Sequence, residues 1–150
     1  PDDINAIQTF LLPNSDLTAK VSSVLGREVK SYGKQFLFDG CNETCWNSDQ
    51  GTPQWISVQF VKDMAVTHFE IQFQGGFAAK NICLQRTSVD TGVAKVETVK
   101  TYYPDDINAI QTFLLPNSPL MTDNLKFLFP ESTDMFGRII VYRLNLYQDS

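Results

Sequence analysis

Gln54-Trp55-Ile56-Ser57-Val58-Gln59-Phe60-Val61 places Ile56, Val58 and Phe60 on one side of an extended chain and Ser57 and Gln59 on the other. A period of two marks a half-buried strand, because successive side chains point to opposite faces. The same pattern returns downstream. Val66 to Gln74 puts Phe69, Ile71 and Phe73 on one face, His68, Glu70 and Gln72 on the other, and stops at Gly75-Gly76. Ala94 to Tyr103 is rich in Val, Thr and Tyr and ends at Pro104, and Leu125, Phe127 and Phe129 alternate before Pro130. Arg138 to Tyr147 is read with Ile140, Tyr142, Leu144 and Leu146 on one face. Turn residues separate these runs at Asp39-Gly40, Asp49 to Pro53, Thr91-Gly92 and Phe136-Gly137. No long segment carries a helical stripe. The reading is all-β: an antiparallel β-sandwich or jelly roll.

With 150 residues the chain is the size of one domain. A 43% hydrophobic share against 19% charged residues excludes disordered and coiled-coil classes. The net charge is −5, from 12 basic and 17 acidic residues. Holding phosphates by charge needs a basic face, so no direct nucleic-acid contact is expected. No apolar run approaches the ~20 residues of a bilayer span, so no membrane partner is expected either. Three cysteines (Cys41, Cys45, Cys83) and no charged-then-apolar leader point to a reducing compartment.

Catalytic chemistry finds no constellation here. Cys41 and Cys45 lack the two further soft ligands nearby that a structural zinc site needs. His68, the single histidine, sits on a polar strand face without a nucleophile signature. No nucleophile elbow, zinc-helix motif or phosphate-cradling glycine loop occurs. Asp2-Asp3 and Asp105-Asp106 lie beside prolines and read as turn residues. The expectation is a protein that is not an enzyme.

Residues 1–15 recur without change at 104–118. One repetition is not a solenoid period. The repeat reads first as a recent duplication, since edge pairing is something proteins suppress; the sharper reading is a strand offered twice, competing for the slot of 104–118 or making a homodimer through the duplicated segment.

Leu37-Phe38-Asp39-Gly40, Thr44-Cys45-Trp46-Asn47-Ser48-Asp49-Gln50-Gly51 and Pro53-Gln54-Trp55-Ile56 resemble the discoidin-like, galactose-binding-like domain. That family carries an Asp-Gly turn, then Thr-x-Trp, then Gln-Trp opening a strand. Trp46 and Trp55 are both expected in the core, which would leave no exposed Trp to stack on a sugar. Val21 to Leu25, Thr44 to Gly51, Ile71 to Phe77 and Asp134 to Arg138 are similar to one branch, small repressors associated with the testicular orphan nuclear receptor. The resemblance runs from Val21 to Tyr147. It divides the chain into 1–15, a duplicated segment that replaces the family's start, and 16–150, the discoidin-like domain. Residues 104–118 fall where the family has its Gln-Thr-Phe strand and are read as the native copy.

The resemblance implies a nuclear, also cytoplasmic, protein that binds an orphan nuclear receptor and represses its transactivation by hindering response-element binding. No Leu-x-x-Leu-Leu box is present, so recognition is assigned to loops on a rigid scaffold. The candidate contacts are Asn47, Ser48, Asp49 and Gln50, then Gly75, Gly76 and Phe77, then Phe136 and Arg138. The alternative is a carbohydrate- or small-ligand-binding module with a structural calcium. Asp39, Asn42, Thr44 and Asn145 would be its ligands, although the family often has Glu at the last position. The expectation is no cofactor.

Overall fold

The computed structural model describes residues 9–149; residues 1–8, Asp2-Asp3 among them, and Ser150 lie outside the described residues. The strands are β1 (Thr9–Leu11), β2 (Leu17–Val21), β3 (Trp46–Asn47), β4 (Gln54–Phe73), β5 (Ile82–Asp90), β6 (Val93–Tyr102), β7 (Gln111–Leu114), β8 (Leu120–Phe129) and β9 (Ile140–Asp149). Every pairing among them is antiparallel. Short helical turns at 14–16, 25–27, 29–32 and 34–37 complete the described elements.

The 20-residue β4 joins the two layers of the sandwich. Its first half lies between β2 and β8, and its second half between β9 and β7. The sequence reads these halves as two strands. The structure makes them one, because pairing with β8 is interrupted after Gln59 and resumes at Met64 opposite Thr122. Val61, Lys62 and Asp63, in the interruption, are exposed. A bulge of this kind bends a strand and lets it serve both layers.

The alternating residues of β4 and β8 build the core. Phe69, Phe73, Phe127 and Phe129 are fully buried, as is Trp46 from β3. Phe69 meets Phe127 edge-on at 5.0 Å and 71°, and Phe73 meets Phe129 at 5.9 Å and 77°. Each such side chain contributes about 1.5–3 kcal/mol by leaving water, plus the aromatic contact.

Two sequence expectations change here. Trp55 is not a core residue: it faces outward from β4, half-buried, with the Lys126 ammonium 4.9 Å from its ring. Its neighbours Gln54 and Ile56 are the inward pair, and strand alternation permits only one of the two parities. On β9, Val141 rather than Ile140 and Tyr142 joins Leu144 and Leu146 in the contiguous core. A register shift sets Val141 opposite Phe73 and Arg143 opposite Gln72, which switches the inward parity. The Tyr142 hydroxyl instead reaches Gln74, at 2.9 Å.

The duplicated segment takes two different slots. Residues Gln111–Leu114 pair with His68–Ile71 of β4, whereas Thr9–Leu11 pair with Tyr147–Asp149 of β9. The local outcome is the same twice. Leu12 N–H donates to Leu146 O at 2.7 Å and Leu115 N–H to Thr67 O at 3.0 Å, and both leucines are 3% exposed. Each Leu-Pro-Asn-Ser then leads into a strand flanking β4, β2 in one case and β8 in the other.

Candidate functional site

Gln54 is a buried polar hub that holds the loop after β3. Its Oε1 accepts from the Ser22 and Ser23 hydroxyls at 2.5 and 2.7 Å, and its Nε2 donates to Asp49 O and Gly51 O at 3.1 and 2.7 Å. Trp46 Nε1 donates to Ser23 O at 2.9 Å, tying the same buckle to the core. A buried amide side chain is tolerated only when its donors and acceptors are matched, and all four bonds here do that.

This frame sorts the first group of candidate contacts. Asn47 is 8% exposed and Ser48 is fully buried. The Ser48 hydroxyl accepts Ile139 N–H at 2.8 Å and donates to Asp49 O at 2.9 Å, so it closes backbone groups rather than facing a partner. Asp49 and Gln50 are exposed.

The second and third groups meet. The Arg138 guanidinium lies 5.0 Å from the Phe77 ring and 5.9 Å from the Phe136 ring. Asp134 accepts from Arg138 Nε at 3.1 Å and from its backbone amide at 3.1 Å. The side-chain bond from Arg138 holds the Asp134 carboxyl below the usual carboxylate range. Arg138 is thus fixed from three sides, which Lys could not reproduce with a planar fork.

Glycine makes the cluster. Gly137 has φ +84°, and a Cβ there would lie 2.8 Å from Gly51 C. Gly51 N–H donates to Phe136 O at 2.8 Å, so the two loops touch backbone to backbone. Gly75 and Gly76 donate to Asn108 Oδ1 and Asp106 Oδ1 at 2.8 and 2.7 Å, tying the third loop to residues of the second repeat copy.

Beside the cluster lies a cavity of about 380 Å³ lined by Gly51, Thr52, Lys80, Glu131, Met135 and Phe136, among others. Met135 is 87% exposed and Phe136 55%. Met135, Asp134, Lys80 and Glu131 were not among the contacts read from sequence. Met135 and Asp134 lie inside the quoted Asp134–Arg138 block, but no local signal separates the outward side chains of that block from the inward ones.

The four candidate calcium ligands do not form a cage. Asp39 Oδ1 accepts Cys41 N–H at 3.0 Å and its Oδ2 accepts the Thr44 hydroxyl. Asn42 Oδ1 accepts from the Arg143 guanidinium, and Asn145 Nδ2 donates to Glu70 at 3.3 Å. Calcium needs six to eight oxygens with free lone pairs. Here donors engage the Asp39 carboxylate and Asn42 Oδ1, Thr44 spends its hydroxyl on Asp39, and the Arg143 guanidinium brings positive charge to Asn42, so the residues do not fit the ion. Among the described residues no group of three or more His, Cys, Asp or Glu gathers.

His68 and the cysteines stay outside this cluster. The His68 ring stacks on Tyr147 at 4.4 Å and 7°. The Tyr147 hydroxyl donates to Glu70 at 2.7 Å, and that bond, with burial behind it, pushes the phenol up to about 12. Cys41, Cys45 and Cys83 are free thiols, each half-buried, and burial raises the Cys45 thiol.

A β-sandwich with glycine-locked loops gathered at one cluster is the layout of a discoidin-like domain. The F5/8 type C domain pattern matches residues 18–139. The chain is 46% identical over 128 residues to nuclear receptor 2C2-associated protein of Danio rerio, covering 85% of this chain and 88% of that relative. It is 42% identical to the Mus musculus protein of the same name, covering 93% and 94%, and 40% identical to the Homo sapiens one, covering 92% and 96%. Among solved structures it resembles the family 32 carbohydrate-binding module of C. perfringens NanJ, solved with galactose. The TM-score is 0.75 at 21% identity, over 94% of this chain and all of that one. An F5/8 type C domain from Bacteroides fragilis gives a TM-score of 0.77 at 15% identity, over 95% of this chain and 97% of that one. The chain belongs to the F5/8 type C domain family, in the branch of the nuclear receptor 2C2-associated proteins.

Proposed function

We propose that this protein is a non-enzymatic interaction domain that binds an orphan nuclear receptor in the nucleus, and also in the cytoplasm, and represses its transactivation by hindering response-element binding. The relatives' name supports the partner class. The observation that carries the reading is the exposed Met135-Phe136 tip, held by the Arg138 stack and the Gly51–Gly137 contact. An exposed Phe and Met beside a fixed guanidinium have the composition of an interface anchor, and the backbone carrying Phe136 is already held in place. Asp49, Gln50 and Phe77 extend the surface around it. The net charge of −5 complements a basic DNA-binding domain, and occupying that domain would keep it off DNA.

The reading requires no metal, with Arg143 supplying the charge at the Asp39–Asn42 turn. Titration of the full chain into the receptor's DNA-binding and ligand-binding domains, each tested alone, decides the matter. Saturable binding that F136A weakens at least about tenfold supports the loop surface. Binding that F136A and M135A leave unchanged removes that surface, and heat with neither domain removes the receptor reading. Retention on immobilised galactose would instead favour the carbohydrate-binding alternative.

A further inference from the structure

β6 ends the sheet order β1-β9-β4-β8-β5-β6, and among the described residues no strand lies on its outer side. The strand is long for an open edge, ten residues, and two of its three valines are bare: Val93 is 65% exposed and Val96 60%. Ordinary edges are shortened or covered to prevent pairing.

The backbone of this edge is set by its hairpin. Thr91 and Gly92 form a two-residue turn with φ +49° and +79°, closing on the pair Asp90 and Val93. Such a turn closes on a hydrogen-bonded pair, so Val93 addresses β5. By alternation the amides and carbonyls of Ala94, Val96 and Thr98 point to the open side. Pairing with β5 skips Val99, which ends the regular ladder there.

The sequence of that edge, Val93-Ala94-Lys95-Val96-Glu97-Thr98-Val99, is self-complementary when read antiparallel about Val96. We propose that β6 is a self-association edge whose occupant is β6 of a second copy of this chain, paired antiparallel with Val96 on the two-fold axis. In this register Val96 faces Val96 and Ala94 faces Thr98, both in hydrogen-bonded positions. Lys95 faces Glu97 twice, in the non-hydrogen-bonded positions where side chains come closest. Registers centred on Lys95 or on Glu97 set like charges against each other, and the one centred on Val96 sets Lys95 against Glu97 twice, so charge favours it. Glu97 also receives Arg86 from β5, and the approaching Lys95 gives each carboxylate a second cation. This edge lies apart from the duplicated segment, whose described residues sit on β9 and β4.

The test is sedimentation velocity on the full chain across the micromolar range, with K95E and E97K, both exchanges on the surface of the hairpin. The unmodified chain is expected to show a concentration-dependent dimer. Each variant alone sets like charges opposite each other at two symmetric positions and weakens the dimer about tenfold or more. Mixing the two variants restores opposite charges at every position and recovers the dimer, which a general loss of folding cannot do. A monomer throughout for the unmodified chain, a dimer indifferent to both variants, or a mixture that stays monomeric would each overturn the proposal.

Discussion

Gly137 is the residue on which the loop cluster turns. Its φ of +84° disfavours any side chain, and its approach to Gly51 leaves no volume for one. G137A is expected to cost about 2 kcal/mol or more in urea unfolding and, on the proposed function, to weaken receptor binding by displacing Phe136. Asp134 gives a pH signature at the same place. Its folded pKa is depressed, so it contributes stability that is present above the unfolded value near ~3.9 and is lost as pH falls through the folded value. R138A should return the Asp134 titration toward that ordinary value in carboxyl NMR and flatten the acid limb of stability against pH. Tyr102 and Tyr147 act at the other end of the scale. Burial pushes Tyr102, and the bond to Glu70 pushes Tyr147, up to about 12. Both favour the folded state below an unfolded value near ~10, and that advantage disappears as pH rises toward 12. An ultraviolet difference titration should show two late phenols, and one in Y147F.

At the level of elements, the repeated Thr-Phe-Leu-Leu-Pro separates local from tertiary causes. Phe113 packs against Phe69 at 5.3 Å and Tyr102 at 5.2 Å, whereas Phe10, in the same local sequence, is 49% exposed. F113A is therefore expected to destabilise by about 3 kcal/mol and F10A by about 1 kcal/mol, as equilibrium unfolding of the two variants will show. Leu12 and Leu115 should behave alike, since both are 3% exposed. The strand-turn-strand form of the repeat is local, set by the proline and the apolar residues before it. Its energetic weight is not. β4 teaches the same lesson: two clean alternating runs mark strands, but only the shared neighbour β8 shows that they are one bent strand.

For the whole molecule, charge makes the predictions. Arg143 donates to Asn42 beside the Asp-Gly turn where the resemblance suggested calcium. Adding calcium or a chelator should leave the thermal midpoint unchanged, while a calcium-dependent rise would require a rearrangement of Asp39 and Asn42. On the proposed function, association with a basic receptor domain should weaken as salt rises, because the complementary charges are screened beyond a Debye length.

Much of this was written locally. Alternation of apolar residues and the glycine and proline turns specify an antiparallel sandwich, because a strand's faces follow directly from side-chain direction. The motif blocks marked loops that the structure brings together, and Phe77, Phe136 and Arg138 were legible as aromatic and guanidinium side chains next to glycine turns. Local sequence could not tell that Phe77 and Arg138 stack across some sixty positions, that Trp55 faces outward, or that Asn47 and Ser48 are buried. A polar loop residue is exposed or internal according to whether a distant backbone group needs it, and Ser48 is internal because Ile139 N–H does. Faces and turns are decided by neighbours in the chain; burial, bulges and contacts are decided by neighbours in space.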